Sequence, residues 1–508
     1  MHRKACIFWT MLVSLTAACQ AQTASVSAAT ATHRMLVVYR DGSIPADADA
    51  ITVRAGGKML HQHKRFGTAV VSGSVAAEAT LRRDPNVEFV VEDRPVTASQ
   101  LQVRPMDANQ VNAPVVRATA PTRAMPADTP DAYYANSPQG WAVRAVGGFG
   151  GGVAGSATAG PWATSTGKGV RIAILDSGVD RTHPDIAPNL LLNMSEVDQT
   201  QQPSVCDNGS PQDQSGHGTW VASLAAAAAG TGTGLTVGVA PDASLLNIKV
   251  LQRMPGNGTT TTDQCNNGQP SGMLSWVLQG IDDAIAQKAD VIVLSMAVTL
   301  DLYSGDAAGL KASFDRVTHA ANQAGVVLVA AAGNDAFNFA NTRYVSYPAQ
   351  SRDVLAVVAS TNPDCAEDLA PGDTCAPGLV TVPYYSNYGA PLNAVAASGG
   401  SYPQGGNDAV SGWVRGACSS GLPNTADGLP TDSTHSMGCF NLGHTQYMQA
   451  IGTSASAPLV AGVVALVKAA HPDWDPATIM AAVRASAVPT ATMPYGVVNA
   501  ITALAYRP

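Results

Sequence analysis

Five short apolar runs in the later two-thirds of the chain leave little choice of architecture. They occupy 170–175, 243–251, 290–296, 326–332 and 354–360, and Val, Ile, Leu and Ala make up most of each. A strand with one wet face alternates polar and apolar residues, so runs without alternation imply strands covered on both faces, as in a parallel sheet between layers of helices. Helical stretches at 218–229, 273–288 and 307–323 separate them, and Gly230 and Gly325 stand where the first and third would end. The pattern predicts an α/β fold with a doubly wound, mostly parallel sheet.

A smaller unit precedes it. Strand-like runs at 34–40 and 87–96 flank a more helical middle near 76–82, which predicts an α+β unit over 33–97. Residues 98–130 lose periodicity and gather Pro, Ala, Gln and Thr, the composition of a solvated linker and the place for a processing point; a second domain then fills 131–508. Gly147–Gly152 adds a flexible stretch, and no further domain is expected after the one that fills 131–508. Residues 1–21 read as a signal peptide, because the basic start Met1-His2-Arg3-Lys4 leads into an apolar segment too short to span a bilayer. Cleavage near Ala17, Ala18 or Ala21 is one reading; a degenerate lipoprotein signal with lipid on Cys19 is the other. These imply a secreted protein, or alternatively a periplasmic or lipid-anchored precursor.

A net charge of −8 over 508 residues, with 13% charged, supplies no basic stripe for nucleic acid, and no membrane span is expected. Eight cysteines include Cys6 and Cys19 in the leader. The other six have no zinc-type spacing, so in an oxidising compartment proximity favours Cys206 with Cys265, Cys365 with Cys375 and Cys418 with Cys439, among 15 connectivities.

Chemistry concentrates where strands end and helices begin. Asp176 follows the first run, Asn334 follows the fourth by two residues, and His217 and Ser454 precede helical stretches. A hydroxyl becomes a useful nucleophile when a histidine takes its proton and a buried carboxylate orients that histidine. Taken singly, each has a structural reading: Asp176 a turn or cap, His217 a loop residue, Ser454 an N-cap, Asn334 a turn former.

Together, Asp176-Ser-Gly-Val-Asp180, Gly216-His217-Gly-Thr219, Ala331-Ala-Gly-Asn334 and Gly452-Thr-Ser454 resemble the segments of the subtilase family of serine peptidases, over about 155–500. Gly238-Val-Ala-Pro241, Tyr347-Pro-Ala349 and Tyr385-Ser-Asn-Tyr-Gly389 are further landmarks in the expected order. The resemblance implies a serine endopeptidase acting through an acyl-enzyme, with Asp176, His217 and Ser454 catalytic and Asn334 in the oxyanion pocket. A non-catalytic binding protein on the same fold is the alternative. It further implies substrate contacts at Ser295, Met296, Ala297, Ala331, Gly333 and Ser346, with Ala297 and Val298 narrowing a wall usually built from glycines, and an apolar preference at the primary pocket. The 33–97 unit then resembles a ferredoxin-like inhibitory prodomain, removed in a self-processed precursor; an unrelated interaction module is the other reading. Protein or peptide substrates and the prodomain are the expected partners, and a monomer is expected. No cofactor is needed for the chemistry. Asp185 matches a family calcium ligand, or is a surface-turn Asp, since 230–237 offers no clear companion carboxylate. Trp220 and Leu459 replace frequent histidines and are expected behind the site, affecting packing.

Overall fold

The computed structural model describes residues 31–98, 140–148, 160–361, 380–401, 414–422, 440–442 and 445–508. The leader, most of the linker, and Cys365, Cys375 and Cys439 lie outside them. The described chain divides into two compact units: residues up to Asp93 with Gly305–Ser313, and Arg94–Ser304 with Phe314–Pro508.

The first unit runs β1 (His33–Tyr39), α1 (Ala48–Arg54), β2 (Lys58–His63), β3 (Thr68–Gly73), α2 (Val75–Leu81) and β4 (Val87–Glu92). Its strands form an antiparallel sheet in the order β2-β3-β1-β4, the split βαβ arrangement of ferredoxin-like folds. Met35, Val37, Tyr39, Val71, Leu81 and Val90 fill its core. The run at 87–96 is two strands. β4 ends at Glu92, and Pro95, which has no N–H to donate, opens β5 (Pro95–Ala98) in a different sheet.

In the second unit, a short helix α3 (Trp141–Ala145) comes first, then β6 (Arg171–Asp176), β7 (Leu190–Ser195), α4 (His217–Ala226) and β8 (Ser244–Lys249). β9 (Gln252–Met254), α5 (Thr261–Asn266), β10 (Gln269–Met273), α6 (Leu274–Ala286), β11 (Val291–Leu294) and β12 (Met296–Asp301) follow. After α7 (Ala307–Gln323) come β13 (Val327–Ala331), β14 (Tyr344–Tyr347), β15 (Val354–Ser360), β16 (Ala394–Ser398), β17 (Val414–Ala417), β18 (Phe440–Leu442) and β19 (Thr445–Ala450). The chain closes with α8 (Thr453–Ala470), α9 (Pro476–Ser486) and α10 (Ala500–Leu504).

All five predicted runs enter one parallel sheet of seven strands, ordered β16-β15-β13-β11-β6-β8-β7. The chain builds outward from β6 on one side to β8 and β7, then on the other to β11, β13, β15 and β16. That reversal opens a crevice at the carboxyl end of β6, where ligands gather in such sheets. Asp176 is the residue found there. Among the described residues only α8 is long and apolar enough to cross a membrane. It lies instead in the core, against α4 and strands β11, β13, β15 and β16, with Thr453 through Val467 buried. An apolar helix that large has most of its stabilisation in burial, at about 25 cal/mol for each Å² taken from water.

Candidate active site

Asp176 is fully buried, and its Oδ1 accepts from His217 Nδ1 at 2.7 Å and from the Ser177 backbone N–H at 2.6 Å. With Nδ1 as the donor, Nε2 carries the lone pair. Nε2 is buried and has no hydrogen-bond partner among the described residues, which leaves the basic end of the imidazole uncommitted there.

His217 owes its position to a cap that sequence reasoning missed. The Asp213 carboxylate, four residues upstream, accepts from the backbone N–H of Ser215, Gly216 and Thr219 and from the hydroxyls of Thr219 and Ser177. It thereby satisfies donors at the start of α4 that have no partner within the helix. Burial pushes the Asp213 pKa up, opposed by the hydrogen bonds from Thr219, Ser215 and Gly216. Ser177 Oγ also accepts from Gly218 N–H at 2.9 Å, tying the Asp176 turn to the helix start. A Cβ on Gly218 would stand 2.1 Å from the Gly178 carbonyl, so only glycine allows that approach. Trp220 is buried behind the imidazole, 6.0 Å between ring centroids, and donates to the Val414 carbonyl. A Cβ on Gly416 would strike the Trp220 ring at 2.5 Å, so a bare backbone in β17 makes room for the bulky replacement.

Ser454 is the second residue of α8. Pro458, four residues on, has no N–H for the Ser454 carbonyl, and the Ser295 hydroxyl takes that place at 3.2 Å. In return Ser454 Oγ donates to the Ser295 carbonyl at 3.3 Å. Asn334 joins the same helix start: its Oδ1 accepts from Thr453 N–H at 2.9 Å and from Thr453 Oγ1 at 2.8 Å. With Oδ1 so held, Nδ2 is the donor end of the amide. Thr453 Oγ1 in turn accepts from Gly333 N–H. Gly333 has φ +101°, and a Cβ there would meet Asn387 Nδ2 at 2.4 Å. Asn387 braces the turn after β13, donating to Ala332 O and Asp335 and accepting from the N–H of Asp335 and Phe337.

The expected substrate wall forms a sheet ordered β14-β12-β5-β10-β9. β5 lies antiparallel between two strands, with Ala98 opposite Met296, Thr97 opposite both Ala297 and Ser271, and Val96 opposite Gly272. Val96 and Ala98 are buried; Pro95 and Thr97 are exposed. The strand thus ends at Ala98, one position short of Ser295 in register and beside the strand whose first neighbour touches Ser454. Ser346 sits one strand further out, in β14 opposite Thr299, fully buried with an unpartnered hydroxyl. Ala331 ends β13 and is buried.

Asp185 has a different setting from the one its calcium reading requires. Thr231 and Thr233 hydroxyls donate to Oδ1 and the Tyr447 hydroxyl donates to Oδ2 at 2.7 Å. Burial pushes the Tyr447 pKa up, and the Asp185 charge adds to it. Calcium takes six to eight oxygen lone pairs, whereas these hydroxyls direct protons at the Asp185 carboxylate. Among the described residues no group of three His, Cys, Asp or Glu is placed to hold a metal. The donor set at Asp185 does not fit calcium. Cys206 and Cys265 are bonded to each other, and Cys418 is also disulfide-bonded.

A carboxylate-braced imidazole near the switch point of a parallel sheet, a hydroxyl at a helix start and an amide anchored to that same helix are the parts a nucleophilic-serine site would use. The model of the subtilase family matches residues 167–501, more than half of the chain, and the chain belongs to that family. It is similar to the major intracellular serine protease of Bacillus subtilis (strain 168), 34% identical over 199 residues, 39% of this chain and 53% of that one. Subtilisin E from the same strain is 29% identical over 328 residues, 64% of this chain and 65% of that one. The chain therefore spans about half to two-thirds of those relatives' length. Among solved structures, fervidolysin from Fervidobacterium pennivorans, a keratinolytic enzyme related to subtilisin, shares the fold, with a TM-score of 0.61 at 21% identity over 94% of this chain and 61% of that one.

Proposed function

We propose that this chain is a serine endopeptidase, exported as a precursor and inhibited by residues 33–97 until they are cut away. The observation that carries the reading is the His217 imidazole, held by Asp176 through Nδ1 and without a hydrogen-bond partner at Nε2 among the described residues, and it is supported by Asn334 being bound to the start of the helix that carries Ser454. Ser454 Oγ leaves the Ser295 carbonyl by a rotation about χ1 and attacks the scissile carbonyl carbon as Nε2 takes its proton. Asp176 stays ionised and stabilises the imidazolium. The tetrahedral oxyanion is held by Asn334 Nδ2 and the Ser454 backbone N–H, one of the helix-start amides without an intrahelical acceptor. The imidazolium then protonates the leaving amine, the C–N bond breaks, and water repeats the sequence on the acyl-enzyme.

β5 occupies the groove as a peptide substrate does: extended, paired on both edges, with alternate side chains inward. Its small inward residues, Val96 and Ala98, fit a groove narrowed by Ala297. Export is supported by the leader-like residues 1–21 and by the Cys206–Cys265 bond. Asn334→Ala should lower kcat on a denatured protein or peptide substrate by about 100 to 1000-fold with KM little changed. An unchanged kcat would remove Asn334 from the mechanism.

At Asp185 we propose a calcium-free cross-link of hydroxyls. Tyr447→Phe should lower stability by about 1–3 kcal/mol, because it strips a donor from a buried carboxylate. Added calcium should not restore the melting temperature; restoration would return the site to the cation reading.

A further inference from the structure

Behind β10 lies a buried polar knot that the chemistry at Ser454 does not use. Arg253, in β9, is 2% exposed. Its guanidinium donates to three carbonyls, those of Cys265, Gln214 and Asn266, and its backbone N–H donates to Asp207. Asp207 also accepts two hydrogen bonds from Lys249 Nζ, each 2.9 Å, and both side chains are closed off from solvent. Cys206, beside Asp207, is bonded to Cys265 in α5. Burial lowers the Arg253 pKa to about 10, with Asp213 and Asp207 opposing, so the side chain stays charged at neutral pH.

The connections run between three segments. Lys249 ends β8, Cys206 to Gln214 form the loop that leads into His217, and Arg253 to Cys265 span the excursion between β9 and β10. β9 pairs with β10, Ser271 against Gln252 and Pro270 against Arg253, and β10 is one of the two strands that hold β5. Ser271 Oγ donates to the Val96 carbonyl. Without the knot, β10 would be the edge of a two-stranded excursion, a structure of marginal stability by itself. β12, the opposite wall, carries on directly from the strand β11 of the main sheet through Ser295 and does not depend on the excursion.

We propose that Arg253 and the Cys206–Cys265 bond are positioning groups that fix β10 as the second wall of an extended-peptide groove, and so determine selectivity for long peptides over short ones. This rests on the reading of β5 as a substrate mimic. Thr97, Val96 and Pro95 are the residues that β10 pairs, so β10 acts on the residues before the last one of the bound strand, Ala98. A ligand with one residue before the scissile bond never reaches it. Arg253 serves by geometry as well as charge: its planar fork reaches three carbonyls on two segments, and a lysine ammonium at the same place cannot span them.

The test compares mature wild type, Arg253→Lys and the Cys206→Ser/Cys265→Ser double variant on two substrates, a tetrapeptide anilide and an N-acetyl amino-acid ester. For both variants kcat/KM on the tetrapeptide should fall about 10 to 100-fold, mainly through KM, while kcat/KM on the ester stays within about twofold. Arg253→Leu should lose more than Arg253→Lys on the tetrapeptide. Equal losses on both substrates, or no loss on either, overturn the proposal, as does failure of both variants to fold, which would make the knot purely structural. If wild type itself shows no advantage for the tetrapeptide over the ester, the substrate-mimic reading of β5 fails first.

Discussion

Ser454→Ala is expected to lower kcat on a peptide amide by about 10⁶-fold, the scale measured when the serine of a subtilisin is removed. The loss is large because three groups act as one device. Without Oγ, the proton acceptor at His217 Nε2 has nothing to deprotonate, and the Asp176 contact at 2.7 Å orients an imidazole that no longer takes part. What survives is transition-state binding by Asn334 and helix-start amides, worth about 10³ to 10⁴-fold over water. The same variant should accumulate as an uncut precursor, whereas wild type should yield a new N-terminus beyond Ala98. Mass spectrometry of both preparations reads this outcome. A Ser454→Ala protein that still matures and still cleaves amides would transfer the chemistry elsewhere, with Ser456 next to examine. Ser456 Oγ is buried, without a hydrogen-bond partner among the described residues, and lies beside Gly399, where an added Cβ would stand 2.8 Å from it.

The second large effect lies in the first unit and depends on pH. His63 ends β2, is 1% exposed, and has no hydrogen-bond partner at either ring nitrogen. It faces the His61 ring at 4.6 Å between centroids and the Phe66 ring at 6.1 Å, and pairs across the sheet with Thr68. Burial lowers its pKa to about 3, and the His61 charge pushes the same way. The unfolded chain binds this proton near pH 6.5, the folded one only near pH 3, so the unfolded state holds more protons between those values and stability falls as pH falls. The slope is about 1.4 kcal/mol for each pH unit, giving about 2 kcal/mol lost at pH 5 and about 4 kcal/mol by pH 3. For a small unit that is a large share of the whole. Calorimetry of the uncut Ser454→Ala precursor should show the first unit's transition moving down between pH 7 and pH 5, and His63→Phe should abolish most of that shift. A shift of equal size in the variant would place the acid sensitivity in other groups.

The main sheet was legible because its strands are buried on both faces, and the five apolar runs fall on β6, β8, β11, β13 and β15. β7 escaped because an edge strand reading LLLNMS is half-buried, and β16 because AVAAS carries little bulk. In the first unit, α2, β1 and β4 were visible, but β2, reading KMLHQH with half of its residues exposed, gave no periodic signal. The triad residues and Asn334 stood out through their segments. Their supports did not. Thr453 meets Asn334 across 119 positions, and nothing local in Asn387 announces that it braces the turn after β13. Asp213 stands three residues before the Gly216 N-cap, so a rule that reads an acidic residue at the N-cap position does not find it. The place of β5 was beyond sequence reasoning, because its partners lie some 175 positions away and a four-residue alternation specifies no neighbour.

Irreversible labelling by an organophosphorus reagent tests the central claim most directly, because only a serine with an activating base reacts quickly. Peptide mapping of the labelled mature protein should place one phosphonyl group on Ser454, with peptidase activity lost in proportion and no label on Ser454→Ala. No incorporation into a folded mature protein, or a label on another serine, would contradict the account.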